Sequence, residues 1–215
     1  MKVKWFAHAS FLITSDSGVR IITDPYTSGS GLDYGDIKET ADIVTVSHGH
    51  GDHNNAATVR GNPKLVNQSG ITEAKGIKFK GVPTYHDEEK GKARGNNIIF
   101  CFEVDGIKMC HLGDLGHQLS AQQVAELGKI DILFMPVGGY YTIDAKVASQ
   151  IAGQLAPKVL IPMHYKTNKC GYPITGVEEF VTGKKAVSQL NTSEVEFKPG
   201  QLPASTEIMV LTPAL

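Results

Sequence analysis

The chain has few cysteines, almost no net charge and no long hydrophobic run, and each shortage excludes a class of protein. Its three cysteines, Cys101, Cys110 and Cys170, are an odd number without a C-x-x-C pair, so a disulfide framework or a cysteine zinc site is not expected. A net charge of -1 provides no general attraction to nucleic acid or anionic membrane. No membrane span or signal peptide pattern is present, so we expect a cytoplasmic protein.

Repeats, low-complexity tracts and linkers are also absent, so the sequence predicts one domain over residues 1–215. Short β-branched and aromatic runs separated by turns fill the first half and predict strands that pair in antiparallel fashion. These predicted strands are Lys2–Trp5, Ser10–Thr14, Arg20–Thr23, Ile43–Val46, Lys64–Val66, Ile77–Pro83, Asn97–Val104 and Ile107–His111.

The second half of the chain alternates helices with compact apolar strands. The predicted helices are Ser120–Leu127, with a capping box, Asp144–Leu155, and a short helix that starts at Thr175. Buried strands are predicted at Ile132–Val137 and Lys158–Met163. Strands followed by strand–helix alternation indicate an α/β protein with two packed sheets and helices on the outer faces.

The stretch VSHGHGDHN carries the strongest functional pattern in the chain. It places His48, His50, Asp52 and His53 on a loop after the apolar strand DIVTV and before a predicted helix. Imidazole and carboxylate are ligands for zinc, iron or manganese, and two histidines one glycine apart can chelate the same ion. The pattern therefore indicates a metal site at a strand end.

This stretch resembles the His-x-His-x-Asp-His hallmark of the metallo-β-lactamase superfamily. Further matches are HLGD at residues 111–114, PVGGYYTIDA at 136–145 and IPMHY at 161–165, so the resemblance covers nearly the whole chain. Together they look most like the small bacterial and archaeal branch related to the ascorbate-6-phosphate lactonases. The resemblance implies a four-layer αβ/βα sandwich with the metals at one edge.

The resemblance also implies two divalent cations, with zinc as the first choice and manganese, nickel or iron as alternatives. The implied ligands are His48, His50 and His86 for one ion, Asp52, His53 and His164 for the other, and Asp114 as the bridge. His111 is an alternative to His86 as the third histidine of the first site.

Three further residues match positions around such a centre, which makes them candidates for orienting ligands. His8 follows a strand, and its alternative is a hydrogen-bonded core histidine. Asp24 ends the run RIITDP and could accept a proton-bearing nitrogen of a ligand histidine, or simply form an Asx turn before Pro25. His111 precedes Asp114 and belongs either to this group or to the ligands.

Two cations close together can hold a bridging hydroxide at neutral pH, which makes hydrolysis the natural reaction. The sequence has no Gly-x-Ser-x-Gly elbow, so a serine nucleophile is not indicated. Asp52 or Asp114 could accept a proton during the reaction, although a metal-bound carboxylate has low basicity. That role stays open.

Substrate contacts must come from the loops around the metals. Lys166, together with Arg94, could receive an anionic group, while Tyr140 and His117 are candidates for the pocket wall and rim. The charged segment 87–97 is flexible by composition. We therefore expect a hydrolase of a small anionic ester, lactone or phosphodiester. The alternatives are a nucleic-acid-processing nuclease and a non-catalytic metal-binding regulatory module, and a homo-oligomer is compatible with any of them.

Overall fold

A six-stranded sheet forms one half of the computed structural model, which describes residues 1–215. Its strands are β1 (Lys2–Ala7), β2 (Ser10–Thr14), β3 (Arg20–Thr23), β4 (Ile43–Thr45), β5 (Lys64–Val66) and β13 (Glu194–Glu196). The order is β13-β1-β2-β3-β4-β5. The pairs β3–β4 and β4–β5 are parallel, so the expectation of antiparallel pairing is wrong for these two pairs.

An eight-stranded sheet forms the other half. Its strands are β6 (Gly70–Ala74), β7 (Ile77–Tyr85), β8 (Asn96–Val104), β9 (Ile107–His111), β10 (Ile132–Pro136), β11 (Val159–Met163), β12 (Val187–Gln189) and β14 (Glu207–Val210). The order is β12-β14-β11-β10-β9-β8-β7-β6. Strands β6 to β9 form an antiparallel meander, whereas β9, β10, β11, β14 and β12 are parallel neighbours.

The two sheets face each other across a cluster of 45 buried hydrophobic residues. Phe11 of β2 contacts Phe134 of β10 with ring centroids 4.5 Å apart. His111 lies between the same sheets and donates from Nε2 to the Ala9 carbonyl at 2.9 Å. Buried apolar area drives this packing, and the histidine bond fixes how the sheets meet beside the strand ends that carry the motifs.

The opposite face of the six-stranded sheet has its own cluster of 13 buried residues. Side chains alternate along a strand, so β1 contributes Phe6 to this cluster and Trp5 to the main core. Segment 26–41 covers the cluster with Tyr26, Leu32 and Tyr34. The layer over this sheet is therefore built largely from a loop.

Three α-helices follow strands of the second half, at α1 (Ala121–Leu127), α2 (Ala145–Leu155) and α3 (Val177–Val181). Ser120 and Gln123 form the predicted capping box, and Asp144 caps α2 by accepting from the Val147 N–H. Helix α3 does not begin at the predicted Thr175: its N-cap is Gly176, which has no side chain to form a cap, and the Thr175 hydroxyl donates to the Gly138 carbonyl. No helix combines the length and apolar character that crossing a membrane requires.

The sequence-based prediction missed four strands and added one helix. The missed strands β6, β12, β13 and β14 are short or partly exposed, so their apolar pattern is weak. The helix predicted after His53 is wrong, since only a 3-10 turn at Ala56–Thr58 forms there. The motif loop instead closes on itself through the His53 and Asn54 N–H groups, which both donate to the His50 carbonyl at 3.0 Å.

Candidate metal centre

The first group of candidate ligands consists of His48, His50 and His86. The first two lie on the loop after β4, and His86 follows the end of β7. One ligand nitrogen from each ring can be chosen so that all lie within 4.8 Å of one another. The structure thus brings together three imidazoles from two separate loops, with His86 rather than His111 as the third member.

The second group combines Asp52 and His53 of the same loop with His164, which follows β11, and with His8, which follows β1. Their donor atoms also lie within 4.8 Å of one another. The His8 and His164 rings are 4.0 Å apart between centroids. The main chain supports this contact because the His164 N–H donates to the His8 carbonyl at 3.1 Å.

Asp114 lies between the two groups, in the loop after β9. Its Oδ2 atom is 3.1 Å from His86 Nε2, 3.2 Å from His53 Nε2, 3.2 Å from His164 Nε2 and 3.9 Å from His48 Nε2. The backbone N–H of Asp114 donates to Asn97 Oδ1 at 2.9 Å, which fixes the loop. One carboxylate oxygen therefore meets imidazoles from both groups.

Several of these buried atoms make no hydrogen bond. They are Nε2 of His48, His53 and His164 and Oδ1 of Asp114. Buried polar atoms are nearly always satisfied, and leaving one unpaired costs about 1–3 kcal/mol. Lone pairs of imidazoles and carboxylates gathered in this way are the donor set that divalent transition metals take. The residues present therefore fit divalent metal cations.

The electrostatics of the metal-free side chains support this conclusion. Burial alone would lower the pKa of His53, but the carboxylates of Asp114, Asp24 and Asp52 raise it well above its ordinary value. Burial alone would raise the pKa of Asp114, whereas His164 and His53 hold it well below its ordinary range. Two buried carboxylates, Asp24 and Asp114, and the partly buried Asp52 thus require positive charge here, and protonated histidine supplies it when no cation does.

Asp24 organises one histidine of each group. Its Oδ2 accepts from His53 Nδ1 at 3.0 Å and from the Ser47 hydroxyl at 2.5 Å, while Oδ1 accepts from the Ser47 N–H. Because the Ser47 proton is committed to Asp24, Ser47 Oγ accepts from His48 Nδ1 at 2.9 Å. Both histidines are then protonated on Nδ1, which leaves their Nε2 lone pairs free for cations.

His8 and His111 take different roles around this centre. His8 Nε2 lies 3.3 Å from Asp52 Oδ2 and orients that carboxylate. His111 has no free nitrogen, because Nε2 donates to Ala9 and Nδ1 accepts from the Gly113 N–H at 3.1 Å. It therefore fixes the start of the Asp114 loop and is unavailable as a ligand.

Two glycines let the ligand loops approach one another. A β-carbon at Gly116 would collide with the backbone of His86 and Asp87, and one at Gly138 would collide with the His164 carbonyl. Gly116 also donates its N–H to the Tyr85 carbonyl at 3.0 Å. The loops that carry the candidate ligands thus contact each other through bare backbone.

A cavity of about 300 Å³ opens above the centre, and we call it the inner cavity. Beyond the candidate ligands its wall consists of Ala93, Arg94, Tyr141 and Tyr172. Arg94 is a candidate from the sequence, whereas no sequence pattern points to Tyr172. This tyrosine lies eight positions after His164, on a loop that returns to the site through the bridge between Lys166 and Gly176.

Three predicted substrate contacts lie outside the inner cavity. The Lys166 ammonium donates to the Tyr172 carbonyl at 2.6 Å. Tyr140 is 65% exposed and lines the neighbouring cavity. His117 accepts from the Tyr85 N–H at 3.2 Å and lines a separate cleft. The structure therefore does not bring these three side chains to the candidate ligands.

Replacing Asp24 by asparagine tests whether its carboxylate orients a histidine in each of the two ligand groups. An amide offers one acceptor oxygen and turns an NH2 group towards donors that now bond to a carboxylate. We expect Asp24→Asn to weaken zinc binding about 10- to 100-fold, measured by competition with a chromophoric chelator. The matched control is Asp42→Asn, whose carboxylate accepts from the Arg20 N–H outside the site. Equal affinities in wild type and Asp24→Asn would contradict this role.

In chelator-treated protein, stability should fall as the solution is acidified. Burial and neighbouring imidazoles lower the pKa of His8 to about 4 and that of His48 to about 3, and the pKa values of His50 and His111 are also lowered. Unfolded histidine titrates near pH ~6.5, so below that pH the unfolded chain binds protons that the folded chain excludes. His53 acts oppositely, because a raised pKa adds stability at low pH.

The lowered pKa values of four histidines outweigh the raised pKa of His53. The urea concentration at the unfolding midpoint should therefore be lower at pH 5 than at pH 7. The measurement is urea unfolding of the chelator-treated protein at both values. A midpoint that stays constant or rises on acidification would show that these imidazoles are not held neutral.

The family of the chain follows from its similarity to known proteins. The family model for the β-lactamase superfamily domain matches residues 2–164. A UPF0173 metal-dependent hydrolase of Thermococcus onnurineus (strain NA1) is 31% identical over 229 residues, which cover 94% of this chain and 98% of the relative. A relative with the same name from Archaeoglobus fulgidus is 29% identical, with 94% and 97% covered.

Solved structures show the same architecture. A proposed zinc-dependent hydrolase of the metallo-β-lactamase superfamily from Thermotoga maritima superposes with a TM-score of 0.82 at 38% identity, covering 98% of this chain and 97% of that one. A protein from Parabacteroides distasonis, at 20% identity and a TM-score of 0.67, shares the fold over 98% of this chain and 93% of its own. The predicted αβ/βα sandwich is confirmed, and the chain belongs to the metallo-β-lactamase superfamily.

Proposed function

We propose that the chain is a binuclear metal-dependent hydrolase that acts on a small anionic ester, lactone or phosphodiester. One observation carries the proposal: a single buried carboxylate oxygen, Asp114 Oδ2, lies within 3.1–3.9 Å of four imidazoles drawn from two ligand groups. Relatives named metal-dependent hydrolases support the same reaction class.

In this proposal each ligand group holds one divalent cation. His48, His50 and His86 hold the first, Asp52, His53 and His164 hold the second, and Asp114 serves both. Zinc is our first choice because imidazole and carboxylate donors suit it, and manganese, nickel or iron would accept the same ligands. When bound, such a pair would lower the pKa of water towards neutrality and so would supply a hydroxide nucleophile at pH 7.

The side chains around the inner cavity favour attack by water over covalent catalysis. No serine, threonine or cysteine lines this cavity, so a hydroxyl or thiol nucleophile is not at hand. Asp52 and Asp114 are the carboxylates that face the space above the ligands, and we leave the choice between them as proton acceptor open. Tyr141 and Tyr172 give the substrate two aromatic walls.

The anionic character of the substrate rests on Arg94. Its guanidinium is the only cationic Lys or Arg group that lines the inner cavity, and no carboxylate lies within ion-pair distance of it. Lys166, which the sequence suggested for this role, bonds to the Tyr172 carbonyl instead.

Removing the shared carboxylate tests the proposal. We expect Asp114→Ala to lose bound metal and to lower the hydrolysis of activated esters or phosphodiesters by about 100-fold or more. Elemental analysis and initial rates on 4-nitrophenyl esters and bis(4-nitrophenyl) phosphate provide the two readouts. Glu73→Ala, at an exposed position of the edge strand β6, is the control. Full activity in Asp114→Ala would refute a bridged centre.

A further inference from the structure

The loop that follows His86 is rigidly constructed, although its composition suggested flexibility. We call residues 87–95 the Asp87 loop. The buried Asp87 carboxylate accepts four backbone N–H bonds, from Glu89 and Gly91 on Oδ1 at 2.8 Å each, and from Ala93 and Arg94 on Oδ2 at 3.0 and 2.7 Å. The ends of the loop are joined where the His86 N–H donates to the Gly95 carbonyl at 3.0 Å.

This construction fixes Arg94 beside the candidate ligands. The Arg94 backbone is bonded to Asp87, and its guanidinium carbon lies 5.6 Å from the centroid of the Tyr141 ring. The side chain is half-buried. A guanidinium that is held over an aromatic face and lacks a carboxylate partner has its hydrogen-bond donors free for an anion.

Arg94 lines two neighbouring cavities. The inner cavity of about 300 Å³ holds the candidate ligands, and a second cavity of about 390 Å³, the outer cavity, shares Ala93, Arg94 and Tyr141 with it. The carboxylates that line the outer cavity belong to Asp87, Glu88, Glu89 and Asp144. An anion is therefore favoured at Arg94 and disfavoured farther out.

We propose that Arg94 is the anion subsite of this hydrolase and that the substrate carries one anionic group next to the scissile bond, with an uncharged or cationic remainder in the outer cavity. This inference rests on the proposed function and adds that the site selects monoanionic over polyanionic substrates. The anionic group is a carboxylate in an ester or lactone, or the reacting phosphate itself in a phosphodiester.

Two activated esters with the same leaving group test the subsite. 4-Nitrophenyl acetate is neutral, whereas 4-nitrophenyl succinate carries one carboxylate. We expect Arg94→Gln to lower kcat/KM for the succinate ester about 10- to 100-fold, mainly through KM, since a charge-assisted hydrogen bond is lost. The acetate ester should change less than twofold, and Arg94→Lys should recover part of the loss. Equal effects of Arg94→Gln on both carboxylate esters and on bis(4-nitrophenyl) phosphate would overturn the subsite.

The same probes distinguish carboxylate from phosphate as the anion. If Arg94→Gln lowers kcat/KM selectively for the succinate ester, the anionic group is a carboxylate beside the scissile bond. If Arg94→Gln lowers kcat/KM selectively for bis(4-nitrophenyl) phosphate, the anionic group is the reacting phosphate. Either result supports Arg94 as the anion subsite.

The acidic outer cavity has its own test. The 4-nitrophenyl monoester of tricarballylate carries two carboxylates, and wild type should hydrolyse it more slowly than the succinate ester. Replacing Glu88 and Glu89, which are exposed, by glutamine should narrow that difference in rate several-fold. If the ratio of the succinate rate to the tricarballylate rate is the same in the double variant as in wild type, the site does not exclude polyanions through these two carboxylates.

A binding measurement separates failure of the subsite from failure of the proposed function. In zinc-loaded protein, the Arg94 Nε–H resonance, assigned by its loss in Arg94→Gln, should shift on titration with succinate. A shift without hydrolysis of any ester would refute the hydrolase proposal and keep the anion subsite. Hydrolysis without a shift, and without loss in Arg94→Gln, would refute the subsite alone.

Discussion

The contact of Asp114 with four imidazoles is the interaction on which the site depends. Its buried Oδ2 lies 3.1–3.2 Å from His53, His86 and His164, and these three histidines come from three different loops. A buried anion is costly without positive charge, so the cluster is stable only when protons or cations compensate it. Bound divalent cations would satisfy the carboxylates and the unpaired imidazole nitrogens together, which a single proton on His53 does not do.

The scaffold meets this requirement by placing strained residues where two sheets end together. His8, Asp24 and His164 have positive φ angles of 52°, 36° and 50°, a conformation that costs about 1–3 kcal/mol at a non-glycine residue. Main-chain bonds hold them there, since the Asp24 N–H donates to Thr45 and the His164 N–H donates to His8. Three of the ten non-glycine residues with positive φ therefore surround the candidate site, and the packed core between the sheets supplies the compensating stability.

Much of this arrangement could be predicted from the sequence, because strands and ligands leave strong local signals. The strands Ser10–Thr14 and Arg20–Thr23 were predicted with their observed limits, and the candidate ligands predicted around Asp114 meet in the structure. Side-chain direction left no such signal. Lys166 is two residues from His164 but turns to a carbonyl, and the charged Asp87 loop is ordered by one carboxylate. Parallel pairing of β3 with β4 likewise depends on contacts distant in sequence.

Metal content per chain tests the central claim most directly. The protein would be purified without chelator, analysed for all transition metals, and analysed again after reconstitution with zinc or manganese. Two cations sharing Asp114 predict about two tightly bound ions per chain. Only a trace of metal after reconstitution would show that these side chains do not form a binuclear centre, and would favour a non-catalytic role for the fold.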